Sequence, residues 1–284
     1  MRASLLLFLI LRVTGTFAQT VTVRDAVTGN PIPYASVFFI TDSKISGGIS
    51  CNEAGVAKLP AAVYSQIKVS CIGYQDNVLL KTDIGSELFL RPEEIKLPGV
   101  VIGDSSISVN YYNGDNGLPM ALGRDSEQVV YFRNPVGKPA ALSAFSVDFF
   151  TTKSGCTARL LMYAVPDTLH HDKPGKNLLP HDILLTLEPG PEGRKIFDLS
   201  GYGLILPAGG AYIGLEEVKN TGDVVRYKTV ISNDPVYLYW QKYLGLPWYN
   251  LNRLLVVLYH KDYQKRRDRK DFRVPSWGIK LQTD

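Results

Sequence analysis

The feature of this sequence that most constrains its fold is a succession of short apolar runs, each ended by turn-forming residues. After the N-terminus these runs read "TVTVRD", "YASVFFI", "AGVAKL", "QIKVSCIGY" and "SELFLRP", and Gly, Pro, Asn or Asp bounds them. Ile67, Val69 and Cys71 alternate with polar residues, as in a strand with one buried face. Before about Gly103 no long stretch shows helical spacing. The pattern predicts an antiparallel β-sandwich.

The rest of the chain repeats this texture, with runs such as "EQVVYFR", "LSAFSVDFF", "TARLLMYAV", "AYIGLEEV" and "LLVVLYH". Helices do not alternate with strands, which argues against an α/β enzyme. The number of runs favours a two-sheet jelly roll. We therefore predict an all-β protein with two β-sandwich domains, residues 19–103 and 117–284. Residues 104–116 are predicted to be a linker, within a stretch from Gly99 to Asn116 that could also hold a joining strand.

The first 18 residues have the pattern of a cleaved secretory signal. Arg2 precedes the apolar run "SLLLFLIL", and small residues in "TGTFA" place cleavage after Ala18. The run is too short to span a bilayer, so no transmembrane span is expected. The alternative is a buried first strand or helix. Residues 1–18 thus predict export, to the periplasm or the outer-membrane surface.

Charge and cysteine content exclude some classes of protein. The formal net charge is +4, and positive and negative residues are present in similar numbers. This balance gives no argument for binding to nucleic acid. Cys51, Cys71 and Cys156 are too few for a disulfide framework. Cys51 and Cys71 could form a disulfide if their strands are neighbours, but strand positions with alternating neighbours favour buried thiols.

The stretch "DAVTGNPIPYASV" reads as a turn between two strands. Gly29 is free to take positive φ, and Pro31 and Pro33 keep the chain extended. Followed by "GGISCNEAGVAKL" and "IKVSCIGYQD", it closely resembles the carboxypeptidase-regulatory-like domain, a prealbumin-like β-sandwich common in exported proteins of the Bacteroidetes. The resemblance covers about Gln19 to Val101 and implies a domain that is not catalytic.

Two further resemblances concern the rest of the chain. "PGVVIGD" looks like a trace of the join that precedes plug and barrel in TonB-dependent receptors, but too few residues follow for a barrel of about 22 strands. "LSAFSVDFFTTKSGCTARLLMYAV" and "KIFDLSGYGLILPAGGAYIGLEEV" resemble jelly-roll ectodomains of Bacteroidetes surface proteins. That resemblance implies carbohydrate binding or packing against neighbours, and fold alone does not decide between them.

No catalytic motif stands out: a nucleophile elbow, a zinc-binding His-Glu-x-x-His and a phosphate-cradling loop are all missing from the sequence. The side chains of one histidine-rich segment could bind a metal together, but the spacing of its His and Asp residues matches no recognised ligand set and is typical of a polar loop. Its candidate ligands are His170, His171, Asp172, His181 and Asp182. We expect neither a metal nor a cofactor.

Paired carboxylates are a second candidate for catalysis, because a glycosidase needs two acids at a set separation. The candidates are Asp148, Glu188, Asp198, Glu216 and Glu217. Asp148 and Asp198 alternate with apolar residues and are expected on outer strand faces. Sequence places no two of the five across a cleft, so no catalytic residue is assigned.

The strongest candidate binding site is the aromatic block "PVYLYWQKYLGLPWYN". Its amphipathic rings can stack on sugars or anchor an interface. The alternative is that alternate rings fill the core. The candidate ligand-binding residues are Tyr237, Tyr239, Trp240, Tyr243, Trp248 and Tyr249.

The basic run "HKDYQKRRDRKDFRVPSW" is interleaved with aspartates and favours a solvated hairpin loop; the alternative is contact with an acidic polysaccharide or a phosphorylated lipid headgroup. Together these features predict an exported, non-enzymatic cell-envelope module that binds glycan or a partner protein through its C-terminal β-sandwich. The alternatives are an envelope hydrolase of the glycosidase kind, with its site in the C-terminal domain, and a structural subunit of a surface assembly.

Overall fold

The protein is all-β, as the sequence predicts. A computed structural model describes residues 19–61, 63–93, 105–111, 119–123, 126–166, 173–220, 225–232, 239–250 and 272–283. Within these ranges there are twenty-one strands, two short 3-10 turns and no α-helix. No helix in this part of the chain is long and apolar enough to cross a bilayer.

The first seven strands form two sheets that face each other. They are β1 (Thr20–Asp25), β2 (Ser36–Thr41), β3 (Lys44–Ser50), β4 (Val56–Lys58), β5 (Gln66–Ser70), β6 (Asn77–Leu80) and β7 (Glu87–Leu90). The sheet orders are β4-β1-β7 and β3-β2-β5-β6. Val21 and Val23 of one sheet pack with Ile67 and Val69 of the other, all of them buried, so the predicted alternation is confirmed.

One pairing in this sandwich differs from the antiparallel prediction. Strand β7 pairs with β1 in parallel, with Val23 opposite Leu88. The chain leaves β1 for the other sheet, comes back to pair β4 antiparallel with β1, completes β5 and β6 in the other sheet, and returns to β1 again at β7. Turn signals specify neighbouring hairpins but not the direction of a strand that returns from the opposite sheet, so the prediction is wrong for this pair.

The turn after β1 is held by its first residue. The Asp25 carboxylate accepts hydrogen bonds from the backbone N–H groups of Val27, at 2.7 Å, and Thr28, at 2.9 Å. Gly29 follows with a φ of 72°, the left-handed conformation expected of it. The Tyr74 hydroxyl donates a further bond to Asp25 at 3.0 Å. The stretch is therefore a structural turn, tied to the chain beyond β5.

The remaining strands form two larger sheets. They are β8 (Ser105–Asn110), β9 (Pro119–Ala121), β10 (Ser126–Phe132), β11 (Ala140–Phe149), β12 (Cys156–Tyr163), β13 (Leu184–Leu187), β14 (Gly193–Asp198), β15 (Ile205–Leu206), β16 (Ala211–Asn220), β17 (Arg226–Ser232), β18 (Tyr239–Tyr243), β19 (Tyr249–Asn250), β20 (Phe272–Pro275) and β21 (Trp277–Thr283). A six-stranded sheet runs β13-β12-β16-β10-β18-β19. An eight-stranded sheet runs β20-β17-β11-β21-β8, with β14 and β15 paired to β11 and β9 paired to β17.

These two sheets enclose a common core. Phe132 and Leu160 of the six-stranded sheet belong to the same buried cluster as Phe145 and Trp277 of the eight-stranded sheet. Strand β8 pairs antiparallel with β21, so residues 105–110 belong to the eight-stranded sheet. The predicted strand "LLVVLYH" lies outside the described residues.

The N-terminal sandwich rests on the outer face of the six-stranded sheet. Ile72 packs against a second buried cluster on that face, which includes Val129 and Leu161. Gly73 lies against the backbone of Pro180 and His181, where an added Cβ would come within 2.8 Å of the Pro180 carbonyl oxygen. This close approach places two outward-facing sheet surfaces opposite each other.

Candidate functional site

A cavity of about 610 Å³ lies between the β3-β2-β5-β6 sheet and the six-stranded sheet. The N-terminal side contributes Phe38, Lys68, Cys71 and Tyr74 to its lining. The six-stranded sheet contributes Glu127, Arg159, Tyr163, Glu216 and Lys242. The cavity thus combines aromatic rings with charged groups.

The floor of the cavity is a row of four charged residues that crosses four neighbouring strands. Arg159 on β12 lies opposite Glu216 on β16. Glu216 lies opposite Glu127 on β10, and Glu127 opposite Lys242 on β18. Directly opposed residues share a face, with Cβ atoms about 4.5 to 5.5 Å apart. We call these four residues the charge row.

Arg159 is the best-satisfied member of the charge row. Its guanidinium donates to Glu216 Oε2 at 2.6 Å, to both carboxylate oxygens of Asp182 at 2.7 and 3.2 Å, and to the Tyr34 carbonyl at 2.9 Å. Burial favours loss of its charge, but Glu216 and Asp182 outweigh burial and raise the pKa of Arg159 well above its usual value. Arg159 thus stays charged and bonds both sandwiches.

Glu216 is only 4% exposed. Burial raises the pKa of its carboxyl; Arg159 opposes that effect, and Glu127 adds to it. The one hydrogen-bond partner of Glu216 among the described residues is Arg159, which takes Oε2. Oε1 remains without a donor while Glu216 lines the cavity.

Glu127 connects the charge row to the aromatic block. Lys242 Nζ lies 2.6 Å from its Oε1, and the Tyr163 hydroxyl donates to its Oε2 at 2.5 Å. Lys242 Nζ is 4.8 Å from the Trp248 ring centroid, and the Trp248 and Tyr163 rings meet edge to face at 5.4 Å. Burial and then Glu127 raise the pKa of Tyr163 well above its usual value. The hairpin of β18 and β19 therefore supports one wall of the cavity.

The structure separates the aromatic residues predicted to bind a ligand. Tyr239 is fully buried. Its hydroxyl forms a hydrogen bond with the Tyr227 hydroxyl at 2.5 Å and donates one to the side-chain oxygen Oε1 of Gln128 at 3.2 Å. Tyr239 is therefore a core residue, in agreement with the alternative that alternate rings of the aromatic block fill the core. Trp240 and Trp248 are half-buried and pack on the outer face of the six-stranded sheet.

Two further rings of the block lie at the hairpin's edge. Tyr243, 43% exposed, stacks on Tyr249 with centroids 6.1 Å apart. Burial and the Tyr243 hydroxyl raise the pKa of Tyr249. Tyr237 lies outside the described residues.

The histidine-rich segment is described only in part, because His170, His171 and Asp172 lie outside the described residues. Asp182 is bonded to Arg159, and the His181 ring lies 5.8 Å from that of Tyr202. In the described ranges, no three His, Cys, Asp or Glu side chains are grouped as metal ligands.

Of the five carboxylates named from the sequence, Glu216 lines the cavity. Asp148 pairs with Arg194 at 3.1 Å and accepts a bond from Ser276 at 2.6 Å, on the eight-stranded sheet. Asp198 accepts hydrogen bonds from Ser200. Glu188 is exposed and Glu217 is buried.

Sequence reasoning missed Glu127, Arg159, Tyr163 and Lys242. A signal for Arg159 was present, since a charged residue interrupts the apolar run "TARLLMY". Charged residues inside such a run are almost never buried unless they are paired. Cys71 was assigned correctly to a buried thiol: the three cysteines are free and buried, and burial raises the pKa of Cys71 to about 12.

Comparison with known proteins does not assign a family. No family model matches the sequence, and no curated protein matches it. Among solved structures it is similar to the infectious bursal disease virus VP2 subviral particle, at 12% identity and a TM-score of 0.16. The match covers 93% of this chain and 60% of that one. A TM-score that low carries no argument about fold or function.

Proposed function

We propose that the protein is an exported cell-envelope module that binds a saccharide in the cavity between its two sandwiches. The observation that carries this proposal is the combination, in one cavity of about 610 Å³, of the charge row with the rings of Phe38, Tyr74 and Tyr163. Small-molecule sites usually have volumes of about 300 to 1,000 Å³, with a few placed polar groups among apolar and aromatic ones. Sugar rings offer both a hydroxyl edge and a carbon–hydrogen face, which suits such a lining.

The site is held in place before any ligand arrives. Arg159 and Lys242 are fixed by carboxylates, and Trp248 supports Tyr163 from behind. Ordering of side chains is a cost of binding, and prior fixation lowers it. This rigidity supports a binding role for the cavity.

Export and the place of the N-terminal sandwich in this proposal come from the sequence. Residues 1–18 have the pattern of a secretory signal. The resemblance of Gln19 to Val101 to the carboxypeptidase-regulatory-like domain suggests a non-catalytic sandwich, here one that covers the jelly-roll-like C-terminal sandwich. Periplasm and outer-membrane surface both fit a saccharide ligand of the envelope.

The test is a glycan array with the chain from Gln19 to Asp284, followed by calorimetry on the best ligand. Phe38→Ala is expected to weaken binding about tenfold, because truncation of a central aromatic contact costs about 1 to 2 kcal/mol. Phe150→Ala is the matched control. Phe150 is also half-buried with a lysine over its ring, 5.6 Å away against 5.1 Å for Phe38, but lies outside the cavity lining. Equal loss in both variants, or no bound glycan, would refute the proposal.

A hydrolase is the second candidate, because Glu127 and Glu216 are opposed on adjacent strands. Retaining glycosidases hold two carboxyl groups about 5 to 5.5 Å apart. Against this role, each carboxylate here holds a cation. Release of new reducing ends from a bound glycan, abolished in Glu127→Gln, would favour the hydrolase over the binding module.

A further inference from the structure

The charges of the ion-pair network at the cavity floor do not balance. Arg159 and Lys242 supply two positive charges, while Glu127, Asp182 and Glu216 supply three carboxylates to the same ion-pair network. Asp182 and Glu216 share the single cation of Arg159. One negative charge is therefore unmatched when all five groups are ionised. An unmatched buried charge is costly, and it attracts either a proton or a cation.

The atom at which this excess charge meets the cavity is Oε1 of Glu216. Arg159 bonds the other oxygen, and among the described residues no donor reaches Oε1. Glu216 is nearly fully buried yet lines the cavity. Glu127 lies opposite it on the neighbouring strand and adds a second carboxylate beside this atom. The middle of the charge row is thus acidic, with its cations at the two ends.

We propose that the cavity selects a saccharide that carries a primary ammonium group, an amino sugar, and that Glu216 Oε1 accepts a hydrogen bond from that ammonium. This inference rests on the saccharide-binding function proposed above. The ammonium would supply the missing positive charge and the missing donor together. Burial raises the pKa of Glu216, so a proton competes with the ligand for the same place.

The other charges of the lining are compatible with this ligand. Lys68 is paired with Asp76 at 3.0 Å. Lys176 and Glu93 are exposed at the rim and opposite in sign. An acidic sugar would add negative charge to a network that already has an excess, whereas an ammonium lowers it. The Phe38 and Tyr163 rings each already have a lysine over one face, Lys68 at 5.1 Å and Lys242 at 5.9 Å, as expected of aromatic faces that attract cations.

The experiment compares oligosaccharides by calorimetry at pH 7 with the chain from Gln19 to Asp284. A glucosamine oligomer is expected to bind about 10- to 100-fold more tightly than the N-acetylglucosamine oligomer of the same length. A hydrogen bond to a charged group contributes about 1.5 to 3 kcal/mol, which is that ratio. Spermidine, an ammonium ligand without a sugar ring, is expected to bind at least about tenfold more weakly than the glucosamine oligomer by the same conversion.

Glu216→Gln is expected to reduce the preference for the glucosamine oligomer to within about threefold, because the variant removes the charge-assisted bond. Glu188→Gln, at an exposed carboxylate outside the cavity lining, is expected to keep the preference. The comparison between ligands uses the unaltered protein, so it tests the inference even if Glu216→Gln does not fold.

Equal affinity for the amino and acetylated oligomers would overturn this inference and leave saccharide binding intact. Tighter binding of an oligogalacturonate, or of spermidine, would also overturn it. If neither oligomer binds but the array yields another neutral glycan, the inference fails alone. If no glycan binds at all, the proposed function fails with it.

Discussion

Removal of the Arg159 charge is the sharpest test of how the two sandwiches are held together. In Arg159→Met the aliphatic stem can still pack, but Glu216 and Asp182 lose their shared cation and the Tyr34 carbonyl loses its donor. Loss of one partner from a buried ion pair costs about 3 to 5 kcal/mol, because the other charge stays buried. The Asp182 side chain is 18% exposed and keeps some hydration, so we expect about 3 kcal/mol.

Arg194→Met is the matched control. Arg194 pairs with a strand carboxylate as well, that of Asp148, but its own side chain is 42% exposed. Exposed ion pairs contribute about 0 to 1 kcal/mol, and the control should stay within that range. The two substitutions are chemically identical, so the difference between them reports the burial of the Arg159 charge together with its additional partners.

The assay is urea unfolding followed by tryptophan fluorescence. The three tryptophans lie at positions 240, 248 and 277, so fluorescence reports on the C-terminal sandwich. The free energy of unfolding and the slope with urea are both fitted, because an unchanged slope identifies a change in stability alone. A loss in Arg159→Met within about 1 kcal/mol of that in Arg194→Met would refute the reasoning that the charge row is a buried, mutually dependent network.

Three further predictions concern the fold. Gly73→Ala should lower the melting temperature more than Gly137→Ala, because both glycines have positive φ but Gly137 has open space around its Cβ position. The Cys51 and Cys156 thiols should react with a thiol reagent only after denaturant is added, since both are buried and free and neither lines the cavity; rapid reaction of either in the native protein would contradict this. Hydrogen bonds from the backbone N–H groups of Thr28 and Val27 lower the pKa of Asp25, so the contribution of its carboxylate to stability is present above about pH 4 and is lost as the pH falls through the lowered value. Asp25→Asn should therefore show a smaller loss of stability than the unaltered protein between about pH 4 and pH 2 in acid unfolding followed by circular dichroism, and an equal loss would count against it.

The strands could be predicted from the sequence because their signal is local. Alternation in "QIKVS" identifies the buried face of β5, and Ile67 and Val69 are indeed buried. Turn residues identify where strands end, as Gly29 does with its positive φ. The local pattern does not predict more than this. A short apolar run carries no information about which distant strand it will pair with, as the parallel pairing of β1 with β7 shows.

The candidate site could not be predicted for the same reason. Arg159 and Glu216 are 57 positions apart in the chain, and Arg159 and Tyr34 are 125 apart. Apart from Arg159, which interrupts an apolar run, each residue alone looks like an ordinary polar member of a strand. These residues come together in one cavity because of the strand order of the six-stranded sheet and because the N-terminal sandwich packs on the outer face of that sheet. The aromatic block was visible because its residues are adjacent in sequence, which also explains why core and surface rings could not be told apart.

The charge row has a consequence for how the six-stranded sheet assembles. A slip of one residue in β12 would turn Arg159 toward the apolar core that contains Phe132 and Leu160, away from Glu216 and Asp182. A slip of two residues would leave it beside Gly214, the next position on that face of β16, rather than Glu216. These misalignments separate Arg159 from Glu216 and Asp182, and the cost of an unpaired buried charge favours the one alignment in which the charge row forms.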